Sequence, residues 1–492
     1  MTTTDLPLLD VAVEDRVRDA YGFSELRAQG SLRGGMFTRP VLLSTDRGLF
    51  LLRIHTFRST ALAFQFQAEA IESAWRAGVP CSRVEPTQNG EWCMPSATPR
   101  GILALHRFVE GRCDDWNIWH RRKHGQSGTD CQSNLDETAR EEFMEIINVR
   151  SDTQTLPTPA MREAIYHAAL GDDTYDEDPT VQEFEALAAR MMGKEAALLV
   201  LSGNMGNLTA LMAHAAPGDE VLVDPDSHIF YYEVGGLANI AGLMPMPVPS
   251  HAGMLDPAEI AAAIRKPNLH HPTPRLLCLE NTHNRSGGRV VPLELHRELC
   301  GVAHAHGLAV HLDGARIFNA AIAEGCAASD YAKDVDSIQV CLTKGLGCPL
   351  GSFVAGSREF IERADRARKR LGGGMRQAGI IAAAGIYALT HHVERLADDH
   401  RRARQLAEKI NDLPDLSVDL QTVESNMVYI DHSATGLSSN ELAALLKSVG
   451  VIVSTRPPKH IRMCTNLHHD DATLDEIVVR VRQVLRSAIQ PA

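Results

Sequence analysis

Two residues, Lys344 and Asp313, carry functional groups that could act together on a bound organic ring. Lys344 follows the apolar run 337–342 and lies in a loop with glycine at 345 and 347, where an amine can be desolvated and made nucleophilic. Asp313 ends the apolar run 308–313, which lies 31 residues upstream (344 − 313). An amine that can form a Schiff base and an acid that can pair with a pyridinium nitrogen are what pyridoxal phosphate requires of a protein. The pair therefore predicts a pyridoxal-phosphate site.

Each of these residues also has an ordinary explanation. An aspartate at the end of a strand commonly caps the next helix, and most lysines are solvated. However, Arg316 lies one helical turn beyond Asp313, and Lys344 ends the next strand candidate. Because the carboxyl ends of parallel strands converge on one crevice, these groups can meet. The constellation favours a cofactor site over a helix cap.

A turn at residues 202–207 could bind the phosphate of such a cofactor. It follows the apolar run 197–201, opens a helical pattern and contains Gly203 and Asn204. Small residues there expose backbone N–H groups, and the helix dipole attracts an anion. The same composition is common in turns for conformational reasons, so the turn supports the cofactor site only together with Lys344 and Asp313.

Two histidines, His228 and His283, lie in short polar segments after apolar runs. His228 could stack on the cofactor ring, although a single such histidine is more often a hydrogen-bonded loop residue. His283 follows the run 276–280 and could be the base that takes a hydroxyl proton.

The elements that must position these residues alternate between helical patterns and short apolar strands from about residue 146 onward. This alternation predicts an α/β unit with a mostly parallel sheet covered on both faces. The strand candidates are 197–201, 220–223, 276–280, 308–313 and 337–342. Helical patterns cover 180–192, 293–305 and a long run over 357–411. A smaller C-terminal part follows, with strands near 426–430 and 451–454 and helices over 439–448 and 472–488.

Composition excludes several classes of protein. The net charge of −13 argues against a general binder of nucleic acid or of anionic membranes. Ten cysteines without a Cys-x-x-Cys pair indicate a reducing cytoplasm. No N-terminal signal peptide and no apolar run of membrane-spanning length are expected. Neither a metal-ligand pattern nor a metal is predicted.

The N-terminal part differs from the rest of the chain. All four tryptophans fall within it, at positions 75, 92, 116 and 119. We predict an α+β domain over 1–120, a polar linker over 121–142, a cofactor-binding large domain over 143–390 and a small domain over 391–492.

The order of elements in residues 1–120, with strand-like runs at 41–43, 49–54 and 102–105, resembles the N-terminal lobe of aminoglycoside phosphotransferases and homoserine-kinase-like proteins. Phosphoryl transfer needs a second lobe with a catalytic aspartate and metal-binding groups, and the next unit begins before such a lobe could appear. We therefore expect no catalysis from this lobe. It either docks a substrate or partner or, as we favour, is a retained fragment that packs on its neighbour.

The larger part of the chain resembles the L-threonine aldolase family of fold-type-I pyridoxal-phosphate enzymes. The resemblance rests on seven motifs in order: RSDT (150–153), GDDTYDEDP (171–179), SHIF (227–230), ENTHNRSGG (280–288), HLDGAR (311–316), TKG (343–345) and LGGGMRQ (371–377). It implies an aspartate-aminotransferase-like large domain and cleavage of the Cα–Cβ bond of a β-hydroxy-α-amino acid. The substrates expected from the resemblance are a small amino acid and an aldehyde.

The resemblance also implies a role for each site residue. Lys344 binds the cofactor as a Schiff base, Asp313 pairs with the ring nitrogen, and His228 stacks on the ring. Residues that hold the phosphate are Gly203 and Asn204, with Lys369 and Arg376 from a neighbouring subunit. Residues that hold the substrate carboxylate are Ser151, Arg316 and Arg462. His283 is the expected base, Tyr175 lines the pocket, and a homodimer or homotetramer with shared sites is expected.

Three positions depart from the family pattern. Asn204 replaces a usual threonine, Asp176 replaces a usual glycine, and the residues after Arg462 lack a common histidine. These departures affect the choice of aldehyde more than cofactor binding.

Three hypotheses follow. The first is cleavage of L-threonine or L-allo-threonine to glycine and acetaldehyde. The second keeps the chemistry but joins an amino-acid carbanion to a larger aldehyde in a specialised pathway, as an aldolase or transaldolase. The third is a kinase-like binding or regulatory protein with an idle aldolase unit, and the intact set of Lys344, Asp313 and Arg316 argues against it.

Overall fold

The computed structural model describes residues 146–489, apart from residue 267, together with six strands within the first 107 residues. The chain divides into two compact units, Met1–Ala139 and Arg140–Ala492. The predicted linker over 121–142 lies outside the described residues.

The first unit contains one antiparallel sheet. Its strands are β1 (Leu26–Ser31), β2 (Val41–Thr45), β3 (Gly48–Thr56), β4 (Val84–Glu85), β5 (Met94–Pro95) and β6 (Gly101–Arg107). Their order is β1-β2-β3-β6-β4, and β5 also pairs with β6. Strands therefore occur at the three runs predicted from their β-branched and aliphatic residues.

The second unit is built around a seven-stranded sheet. Its strands are β8 (Ala196–Val200), β9 (Glu220–Val223), β10 (Met244–Pro247), β11 (Pro274–Glu280), β12 (Ala309–Asp313), β13 (Ser337–Cys341) and β14 (Ser352–Gly356). The order is β10-β9-β11-β12-β13-β14-β8, and only β14 runs antiparallel to its neighbours. The predicted mostly parallel sheet is confirmed, while β10 and β14 were not predicted. β10 reads Met-Pro-Met-Pro and lies at an edge, where proline is tolerated because no ladder donor is needed on the open side.

Helices lie between and beyond these strands. They are α1 (Pro159–Tyr166), α2 (Pro179–Met192), α3 (Gly203–His214), α4 (His228–Tyr231), α5 (Gly236–Asn239), α6 (Pro257–Ala263), α7 (Leu293–Ala305), α8 (Ile317–Glu324), α9 (Ala328–Ala332), α10 (Arg358–Arg370), α11 (Gly379–His391), α12 (Leu396–Asn411), α13 (Ser439–Ser448) and α14 (Asp471–Ile489). The helical run predicted over 357–411 is wrong as a single element. It consists of α10, α11 and α12, and it is interrupted first by three consecutive glycines, of which Gly372 has φ +83°.

One face of the central strands is polar although both faces are buried. On β12 and β13, Val310, Leu312, Ile338 and Val340 face the main hydrophobic core. The alternate residues are His311, Asp313, Ser337 and Gln339, and all four are also buried. We expected continuously apolar strands, and this expectation is wrong for that face. Its buried His311, Asp313 and Ser337 are satisfied by hydrogen bonds to one another or to helix α3.

The C-terminal part has its own hydrophobic core. An antiparallel sheet of β15 (Met427–Asp431), β18 (His460–Cys464) and β17 (Ser454–Arg456) packs with α12, α13 and α14. Strand β16 (Val451–Ile452) pairs with β7 (Ile147–Asn148), so the start of the unit is bonded to its end. In the part of the chain that the structure describes, no helix has the length and apolar character needed to cross a membrane.

Candidate active site

The site lies where the carboxyl ends of the parallel strands meet the first turn of helix α3. Asp313 is the last residue of β12, and Lys344 lies three residues beyond the end of the adjacent strand β13. Helix α3 begins at Gly203, directly after β8, which runs parallel to β13. The elements thus bring the predicted acid, amine and phosphate-binding turn to one edge of the sheet.

Asp313 is a buried carboxylate that lacks a cationic partner. Its side chain is part of a residue only 2% exposed. Oδ2 accepts a hydrogen bond from Asn207 Nδ2 at 2.9 Å, and Oδ1 accepts one from the Ala315 backbone N–H at 3.1 Å. Among the described residues, no lysine, arginine or histidine is within salt-bridge distance of it. A buried carboxylate in this condition fits a protonated pyridine nitrogen.

His228 stands beside Asp313 and is fixed by Glu233. Its Nδ1 is 3.0 Å from Glu233 Oε1, and Asn207 donates to the same oxygen at 2.7 Å. Burial lowers the pKa of His228, but the hydrogen bond to Glu233 and the charge of Asp313 outweigh burial and raise it. The ring is about a third exposed and is held in one orientation, as a ring that stacks on a cofactor must be.

The first turn of α3 can hold a phosphate. The helix provides no acceptor for the backbone N–H groups of Gly203 and Asn204, since these are its first two residues. A Cβ at Gly203 would lie 2.7 Å from Cys341 Sγ, and one at Gly206 would lie 2.6 Å from Gln339 Cγ. Glycine is therefore required for α3 to approach β13 so closely. Together with Asp313 and Lys344, this turn fits pyridoxal phosphate.

Lys344 is half-buried and belongs to the same electrostatic environment. The positive charge of Lys344 helps to lower the pKa of Asp152 and opposes the rise in the pKa of His228, which places Lys344 near both groups. Its backbone carbonyl accepts a hydrogen bond from Thr155 Oγ1 at 2.8 Å, which ties the lysine loop to the segment that contains Asp152.

Arg316 forms a buried two-pronged ion pair with Asp152. Arg316 Nε and Nη2 donate to the two carboxylate oxygens at 2.8 and 2.7 Å. Burial raises the pKa of Asp152, but the charge and hydrogen bonds of Arg316 outweigh it, so that the pKa lies well below its ordinary value. Asn426 donates a further bond to Asp152 at 3.2 Å. The predicted carboxylate-binding arginine thus has part of its fork occupied by a residue of its own chain.

Arg462 is a buried guanidinium that has no acidic partner. It is 5% exposed, and its Nη1 and Nη2 donate to Asn284 Oδ1 and the Arg150 carbonyl at 3.1 and 3.0 Å. Its Nε is buried without a hydrogen bond. Burial lowers the pKa of Arg462, and the charges of Arg456 and Arg316 add to this effect. Within the described residues no carboxylate is within salt-bridge distance of Arg462, so its positive charge is not paired by any of them.

His283 is enclosed more tightly than its expected role suggests. Its Nδ1 is 2.8 Å from Ser286 Oγ, and its Nε2 lies 3.2 Å from Asp224 Oδ2, within ion-pair distance but outside hydrogen-bond geometry. Burial lowers the pKa of His283, but Asp224 and Glu280 outweigh burial and raise it. Both ring nitrogens therefore face protein groups in this structure.

Four other predicted residues are less directly connected to this centre. Tyr175 is 70% exposed, and the Arg376 guanidinium lies 5.9 Å from its ring centre. Arg376 also bonds to Asp172 at 3.0 Å, and Lys369 is exposed at the end of α10. Ser151 caps the short helix Asp152–Gln154 and lies next to Asp152. Tyr175, Lys369 and Arg376 are all exposed in this chain, and we refer to these three residues as the surface group.

One trio of described residues could hold a cation. Ligand atoms of His228, Glu233 and Asp313 lie within 4.8 Å of one another. However, Asn207 already directs its amide hydrogens at both carboxylates, and these positive dipoles oppose a cation between them. The trio is better suited to orient a cofactor ring.

Three residues of the site were not predicted: Asn207, Glu233 and Asp152. Their residue types alone do not indicate a contact with the cofactor's reactive atoms. Each of them holds a predicted residue in place. The signal that could have found Asn207 is its position one turn after Gly203, on the same face of α3. Asp152 lies within the RSDT motif, where the neighbouring serine was selected instead.

The larger part of the chain is similar to known proteins. The Beta-eliminating lyase family matches residues 148–433. Low-specificity L-threonine aldolase 1 of Arabidopsis thaliana is 43% identical over 337 residues, which are 68% of this chain and 94% of the relative. The low-specificity L-threonine aldolase of Escherichia coli K12 is 39% identical over 341 residues, 69% of this chain and 99% of the relative.

Among solved structures, the threonine aldolase of Leishmania major superposes with a TM-score of 0.60 at 18% identity, covering 69% of this chain and 99% of that structure. At this identity the match establishes the fold. Fold and site define a pyridoxal-phosphate-dependent lyase of fold type I. Within that class, the chain belongs to the L-threonine aldolase family.

Proposed function

We propose that the protein cleaves the Cα–Cβ bond of L-threonine or L-allo-threonine to give glycine and acetaldehyde. The observation that carries the proposal is Arg462, a buried guanidinium without an acidic partner among the described residues. A buried charge is costly unless it is paired. The carboxylate of an amino-acid substrate supplies the missing charge, and Arg316, which Asp152 orients, lies close enough to contribute to lowering the pKa of Arg462.

Residues of the chain bind and orient the reactants. Bound pyridoxal phosphate supplies an electron sink that stabilises the negative charge left at Cα. Lys344 provides the amine that holds the cofactor, and Asp313 provides a carboxylate for its ring nitrogen. Gly203 and Asn204 offer backbone N–H groups to its phosphate, and His228 covers the ring.

His283 is our proposed base for the substrate hydroxyl proton. For this role the hydroxyl must replace Ser286 at Nδ1, since the two side chains are 2.8 Å apart. Because the pKa of His283 is raised, it is protonated over more of the neutral range, and a base can act only when deprotonated. Activity is then expected to increase as the pH rises above neutrality.

An alternative substrate remains within the same chemistry. Asp176 is in the left-handed region at φ +59°, next to the exposed Tyr175. The family usually has glycine at this position, so Asp176 adds a negative charge. For this reason our second candidate is a specialised aldolase or transaldolase that acts on a larger aldehyde.

An assay with both amino acids tests the proposal. The purified protein should show the visible band of bound cofactor and release acetaldehyde from L-threonine or L-allo-threonine. A visible band without aldehyde from either would favour the larger-aldehyde candidate. A colourless protein would favour the third hypothesis, an idle aldolase unit.

A change at Arg462 tests the observation itself. Arg462→Lys keeps the charge but loses the planar fork, and the KM for the amino acid should rise about tenfold or more with little loss of bound cofactor. Arg402→Lys, at a partly exposed arginine of α12 that pairs with Asp471, is the control. An unchanged KM for Arg462→Lys would contradict carboxylate binding at this residue.

We also propose that the active enzyme is a homodimer or homotetramer. The surface group of Tyr175, Lys369 and Arg376 then completes the phosphate and substrate sites of a neighbouring subunit. The exposure of all three in a single chain supports this arrangement.

The N-terminal unit, resembling a kinase lobe, has no catalytic part in this proposal. We infer that it was joined to an aldolase that functions without it, and that the enzyme is cytoplasmic.

A further inference from the structure

A chain of hydrogen bonds extends from Asp313 into the protein, away from the cofactor side. Asn207 Nδ2 donates to Asp313, and Asn207 Oδ1 lies 3.1 Å from His311 Nε2. His311 Nδ1 lies 2.8 Å from Ser337 Oγ, which in turn lies 2.7 Å from His214 Nε2. None of His311, Ser337 and His214 has a place in the proposed mechanism.

Regular secondary structure places all five residues in one row. Asn207 and His214 are seven positions apart on α3, which is close to two helical turns, so they share one face. His311 and Asp313 are two apart on β12 and point to the same side. His311 is the direct partner of Ser337 in the β12–β13 ladder. The row therefore follows the interface between α3 and the polar face of the sheet.

Donor and acceptor capacities fix the direction of the chain. The Asn207 amide nitrogen faces the carboxylates of Asp313 and Glu233, so its oxygen must accept from His311 Nε2–H. Burial lowers the pKa of His311 to about 3, so the ring is neutral and Nδ1 carries no proton. Nδ1 then accepts from the Ser337 hydroxyl.

The last link follows in the same way. Since the Ser337 hydroxyl donates to His311, its oxygen is free to accept from His214 Nε2–H. Burial lowers the pKa of His214 to about 4, so this ring is neutral as well. His214 also stacks on Phe360, with ring centres 4.6 Å apart, which fixes its plane.

We propose that His311, Ser337 and His214 are positioning residues that hold the Asn207 amide with its N–H groups toward Asp313 and thereby fix the Asp313 carboxylate in place for the cofactor nitrogen. The inference rests on the role proposed for Asp313 and not on the identity of the amino-acid substrate.

Aligned dipoles explain why a neutral row can have this effect. Every hydrogen in the row points toward the carboxylates, so the bonds polarise one another and present a positive end to Asp313. Without His311, the Asn207 amide oxygen loses its donor, and the two carboxylates alone hold the amide in place. The amide then presents a less polarised and less firmly fixed donor to Asp313.

Nitrogen-15 NMR of histidine-labelled holoenzyme tests the direction of the row. His311 and His214 should both be neutral with the proton on Nε2, with signals assigned by their loss in His311→Gln and His214→Gln. A proton on Nδ1 of His311, or a charged His311 ring, would overturn the inference. This measurement involves no substrate, so it separates the inference from the proposed aldol cleavage.

Cofactor binding tests the consequence. His311→Leu should weaken pyridoxal-phosphate binding about tenfold and change the visible spectrum of the bound cofactor, whereas His311→Gln, whose amide can still donate to Asn207, should stay within about twofold of the parent protein. Ser337→Ala should also weaken cofactor binding and change the visible spectrum, but by less than His311→Leu does. It replaces His311→Leu as the test if the leucine variant does not fold.

His296→Gln is the matched control, because His296 is 1% exposed and its ring bonds to the Tyr331 carbonyl at 3.0 Å, outside the row. The inference fails if His311→Leu and Ser337→Ala bind the cofactor like the parent protein. It also fails if His296→Gln loses cofactor to the same extent, since the effect would then be one of general packing.

Discussion

Single residues of the site are defined by which charges have partners and which lack them. Asp152 and Arg316 neutralise each other in a buried pair, while Asp313 and Arg462 each lack an oppositely charged partner among the described residues. In our proposal, a cofactor nitrogen pairs with Asp313 and a substrate carboxylate pairs with Arg462. The two unpaired charges are therefore our reason to propose that the site binds an amino acid together with a pyridinium ring.

Lys344→Ala should abolish turnover, because within residues 146–489 no other described lysine follows a strand end at this edge of the sheet. The measurement is aldehyde release together with the visible spectrum of the protein. Lys333→Ala, at an exposed lysine after α9, should retain both. Turnover at a substantial fraction of the parent rate in Lys344→Ala would show that another group holds the cofactor.

Asp152→Asn should destabilise the fold by about 3 kcal/mol, since it leaves the Arg316 guanidinium buried without a counter-charge. It should also raise the KM for the amino acid, because Arg316 loses its orientation. Urea unfolding and steady-state kinetics measure the two effects.

The same variant gives a pH dependence with a defined sign. The pKa of Asp152 is lowered in the folded protein, so its stabilisation is present above the unfolded-state pKa of about 4 and is lost as the pH falls. The difference in unfolding free energy between the parent protein and Asp152→Asn should therefore shrink in acid. A difference that is constant with pH would mean that the charge of Asp152 contributes little.

At the scale of elements, helices protect the open edge of the central sheet. Strand β8 lies at the end of the strand order, and its Leu199 has backbone groups that face away from the sheet. Glu185 on α2 accepts the Leu199 N–H at 2.7 Å, and Arg368 on α10 donates to the Leu199 carbonyl at 2.9 Å. Both helices therefore satisfy an edge that could otherwise pair with another chain.

This edge cap predicts a stability change with pH. Burial raises the pKa of Glu185 to about 7, against the hydrogen bond from Leu199 and the charge of Arg368. In the unfolded chain the pKa of Glu185 is near 4.3, so between about pH 4.3 and pH 7 the folded state holds one proton more than the unfolded state. The free energy of unfolding should therefore fall by about 2–4 kcal/mol as the pH rises through this window.

Glu185→Gln should remove this loss, since the amide oxygen can still accept from Leu199 but cannot ionise. Unfolding midpoints in urea at a pH below and a pH above the window measure it. Glu183→Gln, exposed on the same helix, is the control and should follow the parent protein. If Glu185→Gln shows the same pH dependence as the parent, Glu185 does not carry the proton.

The whole molecule consists of two compact units. The second unit, Arg140–Ala492, contains the complete set of residues assigned to the cofactor and substrate, apart from the expected contribution of a neighbouring subunit. Strand β7 pairs with β16, so this unit is bonded from its first strand to its C-terminal part.

Deleting residues 1–142 should accordingly leave a protein that binds pyridoxal phosphate. The visible spectrum and aldehyde release of the truncated protein test this, with the full chain as the reference. A colourless but folded truncated protein would show that the first unit makes a contact on which the site depends.

The sequence alone determined which residues could take part in the chemistry and in which order they occur along the chain. Asp313, Lys344 and the turn at Gly203 could be predicted to lie together because the carboxyl ends of parallel strands converge at one edge of the sheet. The residue types and their positions after strand candidates were enough for this prediction. The pattern of apolar residues predicted most of the strands and the helix Leu293–Ala305.

Only the tertiary structure decided which groups hold those residues in place. Asn207 reaches Asp313 across 106 residues of sequence, and Arg316 reaches Asp152 across 164. No local pattern marks such bonds, because they depend on how closely α3 packs on the polar face of β12 and β13. The tertiary structure also separated Arg316, whose charge is paired within the chain, from Arg462, which has no acidic partner among the described residues, because burial and the nearest acid are properties of the packed fold.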